Sequence, residues 1–456
     1  MARYLSQIIR TRSCSCLVLS ILACASAPVV VSAQVVDLNN LDNYANQPVP
    51  AYITRDNTPF NNQITDEGAT LGRILFYDVR LSNNDTVSCA SCHQQERAFG
   101  DNGVASIGVA GTTGRHSMRL VNARFSDESR FFWDERAPSL EFQTTQPIQD
   151  HTEMGFSGAD GDPGFSDLLD KLAATAEYPA LFEFVFGDSA ITEVRMQLAM
   201  AQFIRSIQSF DTAFDAGRAI VPNDGAPFPN LSPNENNGKN LFLAPPQFNG
   251  AGQRVGGGAG CAACHRAPDF SIDPLSRNNG VIASIDGGID IDVTKSPTLR
   301  DMLDVNGNAI AGFMHNSLAG PGAPIGAVLG FYDAGIQNPP FNTNLDPRLT
   351  PAGNPQRLNL NPGEINDLGL FLRTLTGSNV YVDPKWSDPF APDGSLTILG
   401  LPVFGDINGD GVIDTADLGI LIALFGRDDE IADLNNDGVI DTADLGILIS
   451  RFGISG

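Results

Sequence analysis

Beyond residue 33 the chain contains four cysteines, and all four belong to two copies of one pattern, "CASCH" ending at His93 and "CAACH" ending at His265. Two thiols three positions apart can reach the two vinyl groups of one haem, and the adjoining histidine then meets the iron. This is the attachment signature of a c-type haem. A fold for this chain must therefore hold two large planar groups. Three other chemistries use paired cysteines. Disulfides, usual in exported chains, would leave the histidine after each pair unexplained in a sequence with five histidines. A single zinc held by four thiolates would leave both histidines unexplained as well. A thioredoxin-like redox pair needs a βαβ setting that neither copy has.

At 456 residues the chain has room for two or three domains with cores of their own. Residues 1–33 begin basic, at Arg3, Arg10 and Arg12, and continue through "CLVLSILACASAPVVVSA". They read as a secretion signal cleaved after Ala33, which removes Cys14, Cys16 and Cys24. An alternative reading lipidates Cys24 at the end of "ILAC". No other apolar run approaches the roughly 20 residues of a membrane span, so the mature chain is expected without one, in the periplasm or outside the cell. The net charge of -25 opposes nucleic acid binding and suits solubility or a basic protein partner.

Residues 35–70 are polar and turn-rich, and "TLGRILFYDVRLS" then predicts a short helix running into the first motif. Helical spacing in "ITEVRMQLAMAQFIRSIQSFDTAF" places Met196, Met200, Phe203, Ile207 and Phe210 on one core-facing stripe. The stretch "VPNDGAPFPNLSPNENNGKN" reads as a connection to a further helix that delivers the second motif, and "DPKWSDPFAPDGS" marks a linker.

Past that linker the sequence repeats with a period of 27 residues. Asp406, Asn408, Asp410, Asp414 and Asp417 fall at positions 1, 3, 5, 9 and 12 of a loop with Gly411 at position 6; Asp433, Asn435, Asp437, Asp441 and Asp444 repeat this around Gly438. Hard oxygen donors at this spacing bind calcium, with the carbonyls of Val412 and Val439 expected at position 7. One apolar helix follows each loop, and position 12 is Asp. On these features the repeat resembles a type I dockerin module, which implies a cohesin-like docking partner. Thr415-Ala416 and Thr442-Ala443, at positions 10 and 11, identify no particular one.

From about Thr70 to Leu375 the chain resembles the bacterial di-haem cytochrome c peroxidase family, which includes MauG. The resemblance is carried by "LGRILFYDVRLSNNDTVSCASCH", "RFFWDERAPSLEFQTTQPIQDHTEMGF", "YPALFEFVFGD", "CAACH", "KSPTLRDM", "FMHNS" and "FYDAG". It implies a mainly α fold: two cytochrome c-like haem domains, residues 34–215 and 216–385, a linker over 386–403 and the small calcium module over 404–456. It also implies two covalently bound haems through Cys89, Cys92, Cys261 and Cys264, with His93 and His265 as iron ligands. Trp133 matches the family's relay between haems, and Glu153 its distal acid. Val109 stands where many family peroxidases carry a histidine that caps the first haem. His116 follows it, either beside an open first haem or as the cap itself. His151, next to Glu153, is read as an incidental polar residue. At the second haem Tyr332 aligns with the family's methionine ligand and matches the MauG tyrosine; Met314, with His315 beside it, is its rival. The implied activity is reduction of hydrogen peroxide to water with electrons from a small donor protein such as a c-type cytochrome. The alternatives are a MauG-like oxidase acting on a protein substrate, or a tethered electron-transfer cytochrome.

Overall fold

Among the described residues several of the longer helices begin with a side chain that accepts one of their free N–H groups. The computed structural model describes residues 35–401, 404–429, 431–435 and 437–453; the expected secretion signal, with Cys14, Cys16 and Cys24, lies outside the described residues. In chain order the helices are α1 (Asp66–Tyr77), α2 (Cys89–Cys92), α3 (Leu140–Thr144), α4 (Phe165–Ala173), α5 (Glu177–Phe186), α6 (Glu193–Ser206), α7 (Ala213–Arg218), α8 (Pro233–Leu243), α9 (Gly326–Gly330), α10 (Pro362–Arg373), α11 (Thr415–Leu424) and α12 (Thr442–Ser450). The strands are short: β1 (Val35–Asp37), β2 (Pro246–Phe248), β3 (Arg254–Gly257), β4 (His265–Arg266), β5 (Ser271–Ile272) and β6 (Thr397–Leu399). Thr65 caps α1 by accepting the Gly68 N–H, and Asp66 and Glu67 set negative charge against its N-terminus. Ser232 with Glu235, and Asn361 with Glu364, form capping boxes on α8 and α10, each with proline in the first turn. The ordered elements are thus mostly helical, as expected, with much irregular chain between them.

One packing device occurs twice. Helix α1 crosses α6 at Gly72, where a Cβ would fall 2.0 Å from the Ala199 carbonyl oxygen, and α8 crosses α10 at Gly238, where it would fall 1.9 Å from the Asp367 carbonyl oxygen. Only glycine lets the backbones approach so closely. Both glycines open the same short pattern, "GRILF" and "GKNLF", upstream of their Cys-x-x-Cys-His copy. Around the first crossing Leu71, Ile74, Leu75, Met196, Ala199 and Met200 are buried; around the second Phe214, Phe228, Phe242, Phe270 and Phe371 form an aromatic cluster with ring centroids 4.8–6.2 Å apart.

Two local expectations need correction. The helix predicted through Phe210 stops at Ser206, because the Ile207 carbonyl turns to accept the Asn122 N–H. Ile207 stays buried, whereas Phe210 lies beyond the helix against Phe125, with centroids 4.9 Å apart. The helix before the second motif does not deliver it directly either: the antiparallel pair β2–β3 intervenes, and Cys261–Ala263 form a single 3₁₀ turn. The stretch expected as a linker is held over most of its length. Trp386 is buried with its indole N–H on the Ser206 hydroxyl, Tyr77 donates to its carbonyl, and β6 pairs in parallel with β1. Farther on, Ile413, Leu421, Ala432, Leu434, Ile440 and Leu448 close a small core between α11 and α12.

Gly72→Val and Gly238→Val should each lower the unfolding free energy by about 2 kcal/mol or more, the range of overpacking into an unyielding neighbour. Denaturant unfolding checks this; an unchanged midpoint would show that the helix pair relaxes apart.

Candidate functional site

The two cysteine motifs open onto two cavities that share a wall. Cavity 1, about 390 Å³, is lined by Cys89, Cys92, His93, Phe76, Phe131, Leu140, Trp133 and Glu153. Cavity 2 is narrower, about 120 Å³, with Cys261, His265, Met314, Leu329 and Tyr332 in its lining. All four cysteines are free. Because the pairs serve different cavities, they form no common four-thiolate site. Burial pushes the Cys89 and Cys261 thiols up to about 12, which keeps them protonated and unlike reactive redox pairs.

Each motif histidine is oriented by a backbone carbonyl. His93 donates its Nδ1–H to the Phe99 carbonyl at 2.9 Å, and His265 to the Pro297 carbonyl at 3.0 Å. This leaves Nε2 as the nitrogen for a metal, and burial lowers both imidazole pKa values, His265 to about 4, so that each stays neutral. Free thiols, a neutral oriented imidazole and an apolar cavity form the donor set that a covalently attached haem requires. The residues present fit that group.

Glu153 is held by its backbone. The N–H groups of Val109 and Ala110 donate to the carbonyls of Glu153 and Thr152 at 3.0 and 3.2 Å, and Asp150 Oδ1 accepts the Thr152 and Glu153 N–H groups. A Cβ on Gly108 would stand 2.1 Å from the Thr152 carbonyl oxygen, so this clamp needs glycine. Burial, then the nearby Asp150 carboxylate, push the half-buried Glu153 carboxyl up to about 7. Val109 is a clamp residue with its side chain against the first core. His151 is exposed and paired with Asp162 at 2.8 Å, apart from the cavity lining.

The shared wall is built from His116–Arg119, Trp133, Lys295 and Pro297. The Trp133 indole N–H donates to the His116 carbonyl at 2.7 Å, the His116 N–H donates to the His315 carbonyl at 2.7 Å, and the Trp133 carbonyl accepts from both Thr294 and Lys295. His116 is 2% exposed. Burial, then the Arg119 charge, lower its pKa to about 4. The His315 ring meets Trp133 edge-on at 6.3 Å. In cavity 2, Asn279 Nδ2 donates to the Tyr332 hydroxyl at 3.2 Å and to the Met314 sulfur at 3.3 Å, so both rival residues stand in one place. Burial raises the Tyr332 pKa.

Residues 66–219 match the di-haem cytochrome c peroxidase family, and residues 404–453 the dockerin type I domain. Cytochrome-c peroxidase IdrP1 of Denitromonas iodatirespirans is 27% identical over 73% of this chain and 88% of its own length. The crystal structure of a MauG-like protein associated with microbial copper homeostasis is similar at a TM-score of 0.57 and 27% identity, covering 75% of this chain and 99% of that one. The methylamine utilization protein MauG of Methylorubrum extorquens is 30% identical over 70% of this chain and 80% of its own. The chain belongs to the di-haem cytochrome c peroxidase and MauG family. Membership implies two c-type haems, and the dockerin match implies calcium and a cohesin partner. Among the described residues no helix is long and apolar enough to cross a membrane.

In the dockerin repeat, Gly411 and Gly438 both take φ 88° at the sharp turn, the conformation that glycine adopts readily. Asp417 is buried and accepts the N–H groups of Ile407, Asn408 and Asp414 at 2.7–3.0 Å; Asp444 accepts those of Asn435 and Asp441. Asp406 and Asp433 likewise bond backbone N–H groups of their own loops, and Asn408 and Asn435 donate to Asp410 and Asp437. Among the described residues no three His, Cys, Asp or Glu side chains converge on one metal position. Asp414 and Asp441 cap α11 and α12.

Sequence reasoning did not single out Asn279, Arg119, Lys295 or Pro297. The last two lie in "KSPTLRDM", quoted above only as a family mark; in the fold, Pro297 orients His265, and Arg300 makes a buried bidentate pair with Asp215 at 2.8 and 2.9 Å.

The raised Glu153 pKa has a thermodynamic consequence. The folded form binds a proton up to about pH 7 that the unfolded form releases near its usual pKa of about 4.3, so stability from this group falls as pH rises between those values. Glu153→Gln should gain roughly 2 kcal/mol over the parent at pH 8 and nothing at pH 4 in denaturant unfolding; parallel pH curves would place the raised pKa elsewhere. For the dockerin repeat, Asp417→Ala and Asp444→Ala should each weaken calcium binding roughly tenfold or more by calorimetric titration. Unchanged affinity would exclude them as ligands.

Proposed function

We propose that the protein reduces hydrogen peroxide to water, with cavity 1 as the peroxide side and cavity 2 as the side that receives electrons from a small donor protein. The overall change is H₂O₂ plus two electrons and two protons giving two waters. The observation that carries this reading is a carboxyl raised to about 7, Glu153, in the same cavity as Cys89, Cys92 and His93. A haem held through Cys89, Cys92 and His93 at cavity 1 and through Cys261, Cys264 and His265 at the second motif would supply one-electron redox chemistry.

Glu153, largely ionised above neutral pH, takes the proton from the near peroxide oxygen and returns it to the far one as the O–O bond breaks. The clamp from Val109 and Ala110 keeps its backbone at the cavity while Asp150 and burial hold its pKa near the working pH. Val109 supplies no ring to close cavity 1, which supports an open first site without a reductive activation step. His116 serves that site as a buried, neutral wall residue whose backbone is anchored at Trp133 and His315. Trp133, lining both cavities, is the conduit between them. Tyr332 and His265, both in the lining of cavity 2, would hold the haem there.

A MauG-like oxidase drawing electrons from a protein substrate is the second reading, favoured by the phenol of Tyr332 inside cavity 2. In either case the dockerin repeat tethers the catalytic part through a cohesin partner outside the cytoplasm.

The deciding measurement is peroxide-dependent oxidation of a reduced c-type cytochrome by the haem-loaded protein, as purified and after partial reduction. The parent should turn over without pre-reduction, with kcat/KM rising through about pH 7 as Glu153 ionises. Glu153→Gln should lose about 10²–10⁴-fold of that rate and the inflection, with haem content unchanged. Equal turnover in the variant removes Glu153 from the chemistry. No turnover by the parent in either state, with both haems bound, supports the oxidase or a tethered electron carrier.

A further inference from the structure

Cavity 2 offers two side chains of different chemistry for one position, and a single amide touches both. Asn279 Nδ2 lies 3.2 Å from the Tyr332 hydroxyl and 3.3 Å from the Met314 sulfur. Its orientation is settled by its other end: Oδ1 accepts the Val281 N–H at 3.0 Å, which turns the two N–H donors of Nδ2 into the cavity. The neighbouring Asn278 is fully buried and accepts the Gly280 N–H and an Asn342 amide N–H, so the segment carrying Asn279 is fixed.

Both acceptors stand on unusual backbone. Tyr332 lies in a single π turn, Phe331–Gly335, a local widening of the helix often found at functional positions. That turn is pinned by Gln356 on the Tyr332 carbonyl and by Leu358 and Leu360 on Asp333. Met314 has φ 64°, a left-handed conformation that side-chain-bearing residues seldom adopt and that here directs the loop closed by Ser317 and Ala319.

We propose that Asn279 is a positioning residue that selects between two iron ligands at the second haem site, presenting the Tyr332 phenol and holding Met314 as the alternative. This deepens the reading of cavity 2 as a haem site with Tyr332 as ligand, and rests on it. A phenol oxygen is a hard donor suited to ferric iron, whereas a neutral thioether favours ferrous iron and raises the reduction potential. One amide serving both oxygen and sulfur lets a small local change exchange one electronic setting for the other. The cavity is then adaptable to oxidising or electron-accepting work without rearrangement of the fold.

The test compares the second haem in the full-length, haem-loaded parent, Tyr332→Phe and Asn279→Asp, each with and without Met314→Leu. Absorption and electron paramagnetic resonance give ligand type and spin state, and redox titration gives the potential. Asn279→Asp keeps an acceptor for Val281 but removes the N–H donor from the Tyr332 oxygen and sets a carboxylate against it; Tyr332→Phe keeps the ring and removes the ligand atom. Both should acquire a low-spin thioether spectrum and a potential higher by at least about 59 mV, a tenfold shift in the reduced-to-oxidised ratio for one electron. Adding Met314→Leu should abolish both changes and leave a high-spin haem. If Tyr332→Phe leaves the second-haem spectrum untouched, the ligand reading of cavity 2 itself fails. If it alters the spectrum identically with and without Met314, that reading stands and the alternation is overturned. A spectrum for Asn279→Asp identical to the parent overturns the role of Asn279.

Discussion

Trp133 is hydrogen-bonded at both ends across the wall between the cavities, and the arrangement of both cysteine motifs depends on that tie. Its indole N–H reaches the His116 carbonyl, its own carbonyl takes N–H groups from Thr294 and Lys295, and the His116 N–H closes onto His315. Each bond contributes only about 1 kcal/mol net, but a buried indole or amide left unpaired costs more than that. The segment around residue 116, the turn around 133 and the loops at 294 and 315 therefore hold one arrangement together. The turn is tight enough that Phe132 and Glu135 both take left-handed backbone, at φ 69° and 57°.

The same logic governs charge. The chain is strongly acidic, yet its interior carries cations: Arg300 is fully buried on Asp215, and Lys295 lies in the shared wall with Glu128 and Glu135 as its charged neighbours. Buried pairs of this kind add little net stability, but losing one partner strands the other, so they fix geometry more than they strengthen the fold. The imidazoles behave in the opposite sense. Burial keeps His93, His116 and His265 neutral, which suits two of them to metals and makes the third an uncharged wall residue at ordinary pH.

Economy of means is visible in the repeats. A glycine-crossed helix pair precedes or brackets each cysteine motif, and each motif histidine is aimed by a carbonyl from a distant or returning loop. The dockerin repeat does the same on a smaller scale: glycine at the turn, an aspartate cap on the helix, and a buried aspartate that gathers backbone N–H groups.

The sequence by itself determined the covalent and local chemistry: the two Cys-x-x-Cys-His devices, the oxygen-rich loops and the apolar face containing Met196, Met200 and Phe203. These depend on spacing along the chain, where residue type and period suffice. It also carried the twin "GRILF" and "GKNLF" crossings, although glycine reveals a close approach only once its partner helix is known. Only the tertiary structure decided that α6 ends at Ser206, that residues 386–399 return to the first core, that Val109 clamps Glu153, and that Asn279 faces both Tyr332 and Met314. Those outcomes depend on hydrogen bonds between residues far apart in the chain, and on burial, which shifts Glu153 to about 7 and which no local pattern encodes.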